Sequence, residues 1–97
     1  MTDHHVVVRE MTITHDDFLR LLPKALKNYT YKILNNNIAV SFAAGSLKIA
    51  LSEQTHTNIG SLVLPLIQVS FDFYHCPEAV RLGFFEEFDF AFQKGGG

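Results

Sequence analysis

Toward the C-terminus the apolar residues recur at helical spacing. On a wheel drawn at about 100° per residue, Val80, Phe84, Phe85, Phe88, Ala91 and Phe92 share one sector, and Glu86, Glu87, Asp89 and Gln93 fall outside it. This predicts a helix with a buried stripe. Pro77 is expected as the first helical residue, with His75 or Cys76 as N-cap and Glu78 suiting the positive end of the dipole. Lys94 suits the other end, and residues 94–97, including Gly95, Gly96 and Gly97, are expected to be flexible. The run from Phe88 to Phe92 also alternates as a strand would. The i, i+4, i+8 series Phe84, Phe88, Phe92 agrees with the Pro77 start and favours the helix.

At the other end, residues 1–5 are polar and expected to fray, and the β-branched run Val6-Val7-Val8, continuing to Met11 and Ile13, reads as a strand. Thr14 with Asp17 three residues on marks a helix start, after which Phe18, Leu22, Ala25 and Leu26 share a face. Pro23 inside that pattern predicts a kink or a second short turn, closed by Asn28.

From Tyr29 the period becomes two. Tyr31 and Ile33 lead into Asn35-Asn36-Asn37, which tolerates the positive φ of a tight turn; Ile38, Val40 and Phe42 follow, then the Ala44-Gly45-Ser46 turn, then Leu47, Ile49 and Leu51. Residues 53–60 read as a loop. Residues 61–74 read as one long strand, either on an edge or broken near Pro65, which has no N–H to donate. The expected fold is therefore a single α+β domain over residues 1–97, in the order β-α-β-β-β-β-α. It has an antiparallel sheet of four to five strands and both helices on one face. The second face would carry Ala39, Ser41, Ala43, Lys48, Ala50 and Ser52.

Charge and cysteine usage narrow the function classes. A net charge of −2 with eight scattered basic residues argues against a nucleic-acid or anionic-membrane binder. One cysteine precludes an internal disulfide, and the start lacks a secretory signal pattern, so a cytoplasmic location is expected. The apolar run 59–71 is too short and too polar to span a membrane.

The ending Phe84-x-x-x-Phe88-Asp89-x-x-Phe92-Gln93-x-Gly95-Gly96-Gly97 resembles that of small uncharacterised bacterial single-domain proteins, and the element order is similar to TATA-box-binding-protein-like and helix-grip folds. Neither resemblance implies a catalytic residue for this chain, and the basic DNA-holding sheet of the former is not matched. His4, His5, His15, His56, His75 and Cys76 lack the helical or Cys-x-x-Cys spacing of a zinc site, so no metal or cofactor is expected.

The candidate nucleophile is Cys76 at a helix start, where a dipole lowers a thiol pKa, with His75 as base. The terminal Gly95-Gly96-Gly97 offers a different chemistry, since ubiquitin-like sulfur carriers end in a flexible glycine tail whose carboxylate is activated. Against both stands a non-enzymatic binding or assembly module, homodimeric, acting through the second sheet face or residues 53–60. A small apolar ligand between sheet and helices is the alternative. The motive is apolar surface: Leu82 and Phe90 lie off the buried helical sector, and the Ala and Ser face carries little charge.

Overall fold

The organising element is a strand of 13 residues, paired on both sides. A computed structural model of the chain describes residues 4–96, and in it the elements run β1 (His4–Met11), α1 (His15–Ala25), β2 (Thr30–Leu34), β3 (Asn37–Ser41), β4 (Ser46–Leu51), β5 (Thr55–Ile59), β6 (Leu62–Tyr74) and α2 (Glu78–Gly96). The antiparallel sheet has the order β1-β6-β4-β3-β2. β6 pairs with β1 along Ile67–Tyr74, with β4 along Val69–Tyr74 and with β5 along Leu62–Leu66. At about 3.3 Å per residue β6 extends about 40 Å, close to the molecule's 46 Å long axis.

The fold is α+β with both helices against one face, as the periodicity predicts, but it has six strands rather than four or five. The extra strand is β5, which occupies the stretch expected to be a loop. Thr55, Thr57 and Ile59 are β-branched, and Leu62–Leu66 supplies a partner across the two-residue turn Gly60-Ser61, with Gly60 at φ +61°. Pro65 sits where β6 has β5 alone as a neighbour, the edge-like setting its missing N–H requires.

Several boundaries differ from expectation. β1 begins at His4, inside the stretch expected to fray, because His4 and His5 pair with Tyr74 and Phe73. α1 starts as foreseen, Thr14 Oγ1 accepting from Asp17 N at 3.0 Å, but it runs through Pro23 and closes at Leu26, whose N–H donates to Leu22. Interior proline costs about 3 kcal/mol. Phe18, Leu21, Leu22, Ala25 and Leu26 are all buried, and at ~1.5–3 kcal/mol for each large side chain that burial outweighs it. α2 begins one residue later than expected, Pro77 serving as N-cap, its carbonyl accepting from Val80 and Arg81. It continues past Lys94 through Gly95 and Gly96, since lengthening a formed helix costs only about 1 kcal/mol per glycine. Gly97 lies outside the described residues.

The core fills the space between sheet and helices. Ile38, Val40, Leu47, Ile49, Ile67, Val69, Phe71 and Phe73 meet Phe84, Phe88 and Phe92 of α2 and Phe18 of α1. Phe18 lies 5.0 Å from Phe92 and 6.1 Å from Phe88, ring centroid to ring centroid, so the two helical stripes join. Leu82 and Phe90 are exposed, as their wheel positions require.

Candidate functional site

The β6–α2 junction holds the two residues singled out for chemistry. His75 turns the chain at φ +59°, and the β3–β4 turn presses against it: a Cβ on Gly45 would lie 2.3 Å from the Tyr74 carbonyl oxygen and 2.7 Å from that of His75. Only glycine fits. Cys76 follows, buried at 6% exposure, its Sγ donating to the carbonyls of Ser46 at 3.4 Å and Tyr74 at 3.5 Å. Burial pushes its thiol above the ordinary range, outweighing the opposing pull of those hydrogen bonds and of Arg81. The acidified thiol expected at a helix start is therefore not found, and Cys76 has the surroundings of a structural side chain.

His4, His5, His75 and Arg81 line a recess of about 410 Å³ beside it. Arg81 Nη1 is committed to the Cys76 carbonyl at 2.8 Å, and the His4 ring stacks on Tyr74 at 4.5 Å. Among the described residues no three His, Cys, Asp or Glu side chains are placed to hold a metal ion.

The second sheet face carries no helix. Register places Val6, Asp72, Lys48, Ala39 and Lys32 in one row and Val8, Ser70, Ala50, Asn37 and Leu34 in the next. Val6, Val8 and Leu34 are exposed, and Lys48 and Asp72 stand opposite each other and balance in charge. A hollow of about 480 Å³ opens on this face, bordered by Leu34, Ala39, Ser41, Ser46, Lys48 and Tyr74.

β5 and the first half of β6 extend that face as a two-stranded arm. Residues 52–54 form a bulge where β4 passes into β5, braced by His15, whose Nε2 donates to the Ser52 carbonyl at 2.6 Å and whose backbone N–H donates to Gln54 at 2.9 Å. Ile59 and Leu62 pair directly, and alternation along β6 puts Leu62, Leu64 and Leu66 on the side of Gln68, Ser70 and Tyr74. Pro65 confirms this facing, since it borders a recess with Met11, Ile13 and Leu21 on the helical side. At the arm's tip Ile59, Leu62 and Val63 are 59%, 60% and 64% exposed.

A third place is the cleft between the β2–β3 rim and α2, about 840 Å³, bordered by Tyr29, Phe42, Ala43, Ala79, Gly83 and Glu86. Tyr29 OH donates to Glu87 Oε1, and Asn28 Nδ2 donates to Glu87 Oε2 at 3.0 Å. Asn28 therefore ties α1's exit to α2 instead of closing α1. Burial first, then the Glu87 hydrogen bond and charge, push the Tyr29 phenol up to about 12. Nothing in the sequence joins residues 29 and 87; the arm, in contrast, carries a readable signal in its β-branched run and the Gly60-Ser61 turn.

Among the described residues no helix is long and apolar enough to cross a membrane. Compared with protein-family models, curated proteins and solved structures, the chain matches none.

Proposed function

We infer that this chain is a non-enzymatic assembly module, homodimeric, that works through its helix-free sheet face and the β5–β6 arm. The observation carrying this reading is the arm's tip, where Ile59 and Leu62, a directly opposed pair, stand mostly exposed on the helix-free side of a two-stranded ribbon. Such a ribbon is marginal in water without a covering layer, and clustered apolar side chains on it mark a contact surface. Sedimentation equilibrium tests it: a dimer is expected at micromolar concentration. A strict monomer at high micromolar concentration removes it.

The cleft at Tyr29 and Glu87 favours a second reading, a site for a small apolar ligand. Gly83 leaves it open, since a Cβ there would meet nothing within 4 Å. A monomer would promote this reading, and binding of an environment-sensitive apolar dye blocked by Gly83→Leu would support it. A carrier role for the Gly97 carboxylate is a third; intact mass of protein isolated from cells would reveal it as a thiocarboxylate or tail adduct.

A further inference from the structure

We propose that two copies of this chain pair edge to edge through β1, His4 to Glu10 of each running antiparallel to the same residues of the other about a two-fold axis at Val7. The proposal rests on the homodimeric part of the assembly reading above. It places the contact between copies at this edge, so that the two helix-free faces lie side by side on one continuous sheet.

β1 is paired on one side only. Among the described residues its backbone bonds to β6 and to no other backbone group. An antiparallel strand directs alternate residues' N–H and C=O groups to opposite sides, so about half of those of β1 point away from the sheet, a template for a further strand. The edge at the far side of the sheet, β2, is blunted. β2 can pair with its own copy over its full length, Thr30 to Leu34, only about Lys32, which sets two lysines against each other. The centre of β1 is instead Val6-Val7-Val8, with Val6 and Val8 50% and 57% exposed.

Charge selects the register. A two-fold axis perpendicular to the sheet makes the strands antiparallel and keeps the helices of both copies on one side, so facing residues share a face and their numbers sum to an even value. A sum of 14 sets His4 against the partner's Glu10 at both ends and Val6 against the partner's Val8, all on the helix-free face, with Val7 meeting its own copy on the axis. Sums of 12 and 16 face His4 with Val8 or Glu10 with Val6 and leave the charges unmatched. Glu10 takes part in none of the ion pairs of the described residues, while His4 already has Asp72 at 4.0 Å and would stand between two carboxylates. On the helix side His5 faces Arg9, whose charge is met by Asp89. Leu82, Phe85 and Asp89 are spaced i, i+3, i+7 on one flank of α2, and the contacts of Arg9 with Phe85 and Asp89 turn that flank toward β1. Leu82 therefore overhangs the same edge and adds exposed apolar surface there. The contact is narrow, with about six to eight backbone hydrogen bonds across the axis, so the dimer is expected to be a weak one that draws its affinity from main-chain pairing.

The test uses His4→Glu and Glu10→Lys, both exposed positions, with circular dichroism reporting the fold. His4→Glu sets carboxylate against carboxylate at both ends and should weaken dimer Kd at least about tenfold by sedimentation. Glu10→Lys should weaken it too, and the double variant His4→Glu/Glu10→Lys should restore it, since each end again joins opposite charges. Register is read separately: Val6→Cys mixed with Val8→Cys should form a disulfide-linked mixed dimer on mild oxidation, with neither variant linking to itself. A wild-type dimer that all three charge variants leave intact overturns the edge contact while the assembly reading stands. A wild-type monomer at high micromolar concentration overturns both. Weakening that the double variant does not restore, a mixture that yields no mixed disulfide, or self-linking of either cysteine variant overturns the pairing of His4 with Glu10.

Discussion

Arg9 on β1 holds Asp89 on α2 at 2.6 Å while its guanidinium lies 4.3 Å from the ring centroid of Phe85. Phe88 and Phe71 lie within 6.0 Å of the same group. An edge strand is thus joined to the last helix by a side chain whose stem and face rest on aromatic rings.

Arg9→Ala should therefore destabilise by about 1–2 kcal/mol, with Asp89→Asn costing less than about 1 kcal/mol because its carboxylate is half exposed and screened. Urea denaturation of both variants checks the division. Equal losses would mean that the ion pair, not the rings, does the holding.

Phe88 sits where the stripes of both helices and the sheet meet, touching Phe18, Phe71, Phe84 and Phe92 at ring-centroid distances of 4.3–6.1 Å. Phe88→Ala should cost about 3–5 kcal/mol or unfold the chain, through the cavity it leaves. The denaturation midpoint reads this directly, and an unmoved midpoint would contradict the core described above.

Two glycines should respond in opposite senses. Gly45→Ala drives a methyl into the Tyr74 and His75 carbonyls and should destabilise by about 1–3 kcal/mol. Gly83→Ala enters open space inside α2 and should stabilise by ~0.5–1 kcal/mol. Thermal melts of the pair suffice, and matching signs would refute the contrast.

Alkaline stability should depend on Tyr29. Its folded pKa of about 12 exceeds the unfolded value near 10, so the stabilisation is complete below about pH 10 and is lost as pH rises toward 12. Cys76, also raised, acts in the same direction at lower pH. Denaturation midpoints across that window should fall less steeply for Tyr29→Phe than for the parent; parallel slopes would show that Tyr29 is not the titrating group.

Cys76 should react slowly with iodoacetamide in the native protein and rapidly in denaturant, because burial both shields the thiol and keeps it protonated. Fast native labelling at neutral pH would restore the nucleophile reading.

Most of the architecture was legible because its signals are local and periodic. The Phe84, Phe88, Phe92 series, the Thr14–Asp17 cap and the Asn35-Asn36 turn, with Asn35 at φ +56°, each state their structure within a few residues. The helix runs through Pro23 because burial along one helical face outweighs a local penalty, and β5 was hidden by polar residues whose partner lies across the turn. The candidate contact was half legible. Small residues marked the face, but the hollow and the arm's facing depend on a strand register set by the whole sheet, and the Tyr29–Glu87 pair bridges 58 positions.

The position of β6 also sets the order of assembly during synthesis. Among the described residues β1 has β6 as its sole sheet neighbour, so residues 4–11 wait unpaired until residues 67–74 have been made. β2, β3 and β4 can form their meander earlier, but Phe84, Phe88 and Phe92 cover its inner side only once α2 leaves the ribosome. Closure of such distant pairings carries a large loop entropy, which predicts slow, all-at-once folding and a nascent chain that exposes its apolar strands until α2 has been made.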